Sequence, residues 1–143
     1  MIVRVPLTDE EFDKYYDLRW RILRAPWNQP KGSEKDELEG NSIHIIAIIE
    51  GEIVGCGRIH FNSIDEAQIR YMAVENELQG RGIGKLILNE LEQKALEKGA
   101  KKIILNAREN AVKFYDKNGY KIVKESHTLF GEIKHFLMRK DIS

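Results

Sequence analysis

Apolar residues recur at two periods along this chain, and the changes between them mark out its elements. Ile2 to Val5 is a short apolar run closed by Pro6, which predicts a strand. Thr8 followed three residues later by Glu11 is a capping-box pattern that opens a helix. Helical spacing then continues to about Arg24, with Phe12, Tyr15, Tyr16, Ile22 and Leu23 on the inner face. Arg19 falls in the same row as Phe12, Tyr16 and Leu23. A charge on an apolar stripe is costly to bury alone, so Arg19 is either paired or in contact with a ligand.

Residues 25–41 lose this periodicity. Two prolines, two glycines and the acidic cluster Glu34, Asp36, Glu37 and Glu39 predict an irregular segment with a short helix. It reads as a solvated loop or as a lid over a cleft. Strands follow: Ser42 to Glu50 and Ile53 to Phe61 form a hairpin about Gly51, and Ala67 to Val74 forms a third strand. Ile45 to Ile49 is apolar without alternation, as a strand covered on both faces should be.

From Ile83 the helical period returns, with Ile83, Ile87, Leu91 and Ala95 in one row and Gly99 as the C-terminal cap. Ile103 to Asn106 is a short apolar strand, Ala111 to Asn118 a helix, and strands at Tyr120–Thr128 and His135–Lys140 complete the pattern. The order is β-α-(short α)-β-β-β-α-β-α-β-β. It predicts an α/β domain over residues 1–143: a mixed sheet covered by helices, without repeats or linkers.

Composition narrows the function classes. Lys plus Arg and Asp plus Glu are 23 each, so the basic excess expected of a nucleic-acid binder is absent. The longest apolar run, Ile45 to Ile49, is too short to span a membrane, and the N-terminal residues do not resemble a signal peptide. Cys56 is the single cysteine and lies between two glycines in a strand; it reads as a small buried residue. No Cys/His spacing suits zinc, so no metal is expected, and the chain reads as cytoplasmic.

The chemistry concentrates at the junction of the third strand and the second long helix. Gly80, Gly82 and Gly84 fall within five residues of one another, between Gln79 and Lys85. Glycine admits positive φ and lets a ligand approach the bare backbone. Unpaired amides and the macrodipole at a helix N-terminus attract phosphate. Arg81 and Lys85 add charge there. The spacing fits neither a dinucleotide fingerprint, which would need glycine at Lys85, nor a P-loop, which would need a hydroxyl at Leu86.

Gln79-Gly80-Arg81-Gly82-Ile83-Gly84 resembles the Gln/Arg-x-x-Gly-x-Gly/Ala signature of the GNAT superfamily of N-acetyltransferases, and follows a strand ending Met72-Ala73-Val74 as that signature does. Asn110-Ala111-Val112-Lys113-Phe114-Tyr115, followed by Gly119-Tyr120, is similar to that family's second segment. Asp36-Glu37-Leu38-Glu39, Ser42-x-His44 and Lys134-His135 look like its small bacterial ElaA-like branch.

The resemblance implies a GNAT fold and acetyl-coenzyme A as cosubstrate. It implies pyrophosphate on the amides of Gln79 through Lys85, Ile83 and Gly84 included. The main chain of Met72, Ala73 and Val74 would pair with the pantetheine arm, in a slot opened where the strands part after Ala73 and Asn106. Asn110 and Phe114 would line the cofactor site, and Tyr115 would lie near the sulfur.

Chemistry then follows. A neutral amine attacks the thioester, an amide such as that of Val74 steadies the oxyanion, and Tyr115 protonates the leaving thiolate. Tyr115 could equally be an aromatic packed beside Phe114. Candidate bases are His44, His135, Glu39, Glu75 and water. Arg19, His44 and Arg70 are candidate substrate contacts; His44 also fits a hydrogen-bonded core position beside Ile46 and Ile48. The acceptor would be an amine of a small molecule or a peptide, and the acidic loop would suit a cationic one. The alternative is an acyl-CoA sensor without turnover. Exposed terminal strands could pair two copies into a homodimer.

Overall fold

The computed structural model describes residues 1–142. Thr8 caps the first long helix, α1 (Asp9–Leu23), by accepting from the Glu11 amide at 3.1 Å. The reciprocal arm of the capping box goes elsewhere: Glu11 Oε1 accepts from the Leu7 amide at 2.7 Å, and the carboxylate also grips Arg4. The short helix expected in residues 25–41 is instead two single 3₁₀ turns, Ala25–Trp27 and Glu39–Asn41.

Seven strands build one sheet: β1 (Ile2–Arg4), β2 (Ile43–Ile49), β3 (Glu52–Phe61), β4 (Glu66–Val74), β5 (Lys102–Arg108), β6 (Lys121–Leu129) and β7 (Ile133–Asp141). Their order is β1-β2-β3-β4-β5-β7-β6, and only β4 and β5 run parallel. Helices α2 (Ile83–Glu97) and α3 (Val112–Lys117) complete the mixed sheet fold that the hydrophobic pattern predicts.

The uninterrupted apolar run of β2 has the expected cause. Ile45 and Ala47 face the core that α2 closes, whereas Ile46 and Ile48 face the core that α1 closes. Helix α2 lies very close to β3, because a Cβ on Gly57 would meet Met72 Sδ at 2.7 Å and Leu91 Cδ1 at 2.8 Å. Cys56, between Gly55 and Gly57, is fully buried on the α1 side.

One irregularity positions everything that follows. Gly57 of β3 is opposed by both Tyr71 and Met72, since the pairing jumps from Cys56↔Ala73 to Arg58↔Arg70. Tyr71 adopts φ +60°, a left-handed conformation that costs a non-glycine residue about 1–3 kcal/mol. This bulge reverses the side-chain phase of β4. Simple alternation puts Arg70 on one face with Met72 and Val74; the bulge instead leaves Arg70 toward α1, while Met72 and Val74 pack toward α2.

Tyr71 is held there by charge. The guanidiniums of Arg19, Arg58 and Arg70 sit 4.2, 4.9 and 4.5 Å from its ring centroid. Arg19 and Arg58 are themselves fully buried. Arg58 reaches Asp36 at 2.6 and 3.0 Å and Glu39 at 2.9 Å; Arg19 shares Glu39 at 2.9 Å. The acidic segment is thus neither a solvated loop nor a free lid, because Asp36 and Glu39 are turned inward to neutralise buried arginines.

Removing one member of a buried ion cluster strands the others, at a cost of about 3–5 kcal/mol. Arg58→Met is therefore expected to lower unfolding stability by about 3 kcal/mol in urea titrations. A loss below about 1 kcal/mol would mean the cluster contributes no more than a surface pair.

Candidate active site

The β4–β5 pairing ends at Ile69↔Leu105. The strands therefore part several residues earlier than the expected positions, Ala73 and Asn106, because the Tyr71 bulge bends β4 away. Beyond that point β4 has main-chain groups with no strand beside them. Gly55↔Val74 are paired across β3 and β4, and the bond to Val54 O comes from the Glu75 amide at 2.9 Å. That is the pattern of a non-hydrogen-bonded pair, so the Val74 amide and carbonyl point into the opening.

At the far end of this opening α2 begins. Gly80 and Gly82 have φ +80° and +84°, and no atom lies within 4 Å of where their Cβ would be. Gly82 is the N-cap and supplies no side-chain acceptor, and no acidic residue occupies the first turn. The amides of Ile83, Gly84 and Lys85 consequently face open space with the positive end of a 15-residue helix behind them. Gly84 differs: its φ is helical, and a Cβ there would touch Phe114 Cζ at 3.4 Å. The Gln79 side chain ties the loop back to Val74 O at 3.1 Å.

A cleft of about 690 Å³ runs along these groups. Met72, Ala73, Val74, Gln79, Gly80, Gly82, Ile83, Gly84, Lys85, Asn110, Phe114 and Tyr115 all line it. Arg81 is exposed and outside its lining; Asn106 and Arg70 line a second cavity of about 380 Å³ on the other side of Tyr115. Met72 and Tyr115 belong to both walls, so the two spaces meet there.

Tyr115 is buried edge-on to Phe114 and Tyr120, and its hydroxyl makes no hydrogen bond within the protein among the described residues. Burial pushes its pKa above the usual tyrosine value, so it stays protonated at neutral pH.

Arg19 and His44 line neither cavity. Arg19 is fully enclosed and also donates to Tyr15 Oη. His44 Nε2 donates to Glu39 O at 2.8 Å, leaving Nδ1 to accept from Tyr15 Oη at 2.7 Å. Both are parts of the core beneath α1, where no substrate reaches them. Glu39 is committed to Arg19 and Arg58, and Glu75 to Arg21 at 3.0 and 2.9 Å.

His135 is the one of these candidate bases that lines a cavity. Its Nδ1 lies 2.9 Å from Ile133 O. A carbonyl only accepts, so Nδ1 carries the proton and Nε2 keeps a lone pair. Burial is the main cause of its lowered pKa, with His127 and Arg108 adding to it. The His127 ring stacks on it at 4.3 Å.

Three lining residues escaped the sequence reading: Arg24, Arg108 and His127. Arg108 was findable, since Asn106 and Arg108 alternate with Leu105 and Ala107 on β5. Arg24 and His127 carry no such signal, as their places depend on a helix end and on the β6–β7 register.

Comparison with known proteins gives one consistent answer. Residues 12–120 match the Acetyltransferase (GNAT) family. The chain is 32% identical to an uncharacterized N-acetyltransferase, YjcF, of Bacillus subtilis (strain 168), over 93% of this chain and 94% of the relative. A crystal structure of aminoglycoside 6'-N-acetyltransferase complexed with coenzyme A superposes with a TM-score of 0.85 at 21% identity, covering 100% and 98% of the two chains. Escherichia coli ElaA superposes with a TM-score of 0.82 at 19% identity, covering 99% and 100%.

Proposed function

The chain belongs to the acetyltransferase (GNAT) family and so is an acetyl-CoA-dependent acyltransferase; from that premise we propose that it acetylates an amine of a small molecule by direct attack in a ternary complex. The observation that carries this reading is the meeting of two cavities at Met72 and Tyr115, one of which ends on the unpaired amides of α2.

The residues fit the donor. Pyrophosphate would rest on the amides of Gly82 to Lys85, and the pantetheine arm would run beside Met72 to Val74. Its sulfur would then lie by Tyr115, with Asn110 and Phe114 along the wall. The acceptor amine would enter from the 380 Å³ side. As its nitrogen bonds to the thioester carbon, the Val74 amide can donate to the developing oxyanion. The C–S bond then breaks, Tyr115 gives its proton to the sulfur, and His135 Nε2 takes the proton from nitrogen. The enclosed size of the second cavity favours a small acceptor over a peptide.

This reading fixes a pH dependence. His135 works only when neutral, and burial holds its pKa below the usual histidine value of 6.5. Its working form therefore persists to lower pH than for an exposed histidine. Under saturating substrates, kcat is expected to rise through an apparent pKa below 6.5 and then level off. His135→Gln should remove that limb and lower kcat by ~10²-fold. An unchanged profile in the variant would exclude His135 and leave water as the base.

A further inference from the structure

The cavity beyond Tyr115 presents three guanidinium side chains, Arg24, Arg70 and Arg108, and no carboxylate. Arg70 is paired, with Nη1 2.8 Å from Asp36. Arg24 and Arg108 are not. Arg24 is 7% exposed, and its Nε and Nη1 donate to the carbonyls of Ser33 and Leu23 at 2.9 and 3.0 Å. Arg108 Nη2 donates to the same Leu23 carbonyl at 3.0 Å, and its guanidinium stacks over Trp27 at 4.7 Å. Among the described residues, neither has a carboxylate oxygen within 4.0 Å.

Two buried cations that converge on one neutral carbonyl are electrostatically uncompensated. Burial, reinforced by Arg24, pushes Arg108 down to about 10. The carboxylates nearby are committed: Asp36 and Glu39 to the cluster around Arg58, and Glu34 to the Gly32 amide at 2.7 Å. The acidic segment that suggested a cationic acceptor therefore lends this cavity no negative charge.

We infer that the acceptor is an amine carrying an oxyanion, a carboxylate or a phosphate, which Arg24 and Arg108 bind while the amine points toward Tyr115 and His135. The inference rests on the acetyl-transfer reading of the same cleft. Its physics is plain: charge-assisted bonds from paired guanidiniums to an oxyanion are strong, and they relieve a repulsion that exists without the ligand. A polycation in this space would add to that repulsion instead. The aminoglycoside acetyltransferase fold thus carries here a cavity of the opposite preference.

The test saturates the protein with CoA, so that anions cannot occupy the α2 N-terminus, and titrates matched probes by calorimetry. Phosphoethanolamine is compared with ethanolamine, glutamate with its dimethyl ester, and an aminoglycoside serves as the polycation. At least one anionic probe is expected to bind ~10-fold or more tightly than its partner, and which one does so separates phosphate from carboxylate. Arg24→Met should erase that advantage, while Arg24→Lys, which keeps the charge, should retain part of it; affinity for CoA reports that both variants are folded.

Equal or tighter binding of ethanolamine, the ester or the aminoglycoside would overturn the inference, as would binding of none of the anions. Release of CoA thiol from acetyl-CoA is then followed with each amine. Absence of release with every amine would count against the acetyl-transfer reading, while the binding contrast would still decide the anion preference.

Discussion

Gly82→Glu is expected to abolish measurable acetyl-CoA binding while leaving the protein folded. Gly82 sits at φ +84° at the N-cap of α2, and nothing lies within 4 Å of the position a Cβ would take. A side chain there clashes with no protein atom, so the fold bears only the backbone strain, about 1–2 kcal/mol. The ligand bears the rest. A glutamate carboxylate would occupy the space beside the amides of Ile83 to Lys85 and compete with phosphate for the same donors.

The expected loss of affinity exceeds ~100-fold, or ~2.7 kcal/mol. In thermal melts, wild type with acetyl-CoA at ~100 times Kd should gain ~2.7 kcal/mol of stability, and Gly82→Glu none. Gly84→Ala is the matched control. Its backbone is helical and its new methyl would make ordinary contact with Phe114 at 3.4 Å, so affinity should stay within ~3-fold. A preserved shift in Gly82→Glu would remove pyrophosphate from the α2 N-terminus.

Tyr115→Phe is expected to lower kcat by ~10²–10³-fold with little change in the KM for acetyl-CoA. The ring is buried between Phe114 and Tyr120, and the variant keeps that packing. The lost hydroxyl has no protein hydrogen-bond partner among the described residues, so its removal strands no group. Stability should therefore hold within about 0.5 kcal/mol, which separates a proton donor from a packing residue. Because burial raises its pKa, Tyr115 remains a donor across the working range, and no alkaline limb from it should appear below pH 10. Single-turnover release of CoA thiol measures the step directly, and ordinary turnover by the variant would refute the role.

The parts of this site that sequence reveals are those written in local chemistry. Ile45–Ile49 shows a doubly covered strand because both of its faces are apolar, and three glycines at a strand–helix junction show an anion cradle because φ and open space leave few other residues suitable. What escapes depends on pairing at a distance. Period-2 counting puts Arg70 beside Met72; one extra residue at Tyr71 cancels it, and nothing in Arg-Tyr-Met announces a bulge. The run Glu34 to Glu39 has the composition of a solvated loop, yet Arg19 and Arg58, from α1 and β3, draw its carboxylates inward. That inversion turns the acceptor cavity from acidic to basic, and it required knowing which acids were already paired.

The most direct test of the central claim is a crystal structure with CoA. The account predicts pyrophosphate on the amides of Gly82 to Lys85, the pantetheine arm beside Met72 to Val74, and the sulfur within hydrogen-bonding reach of Tyr115 Oη. A cofactor bound elsewhere, or a sulfur directed away from Tyr115 and the arginine-lined cavity, would contradict it.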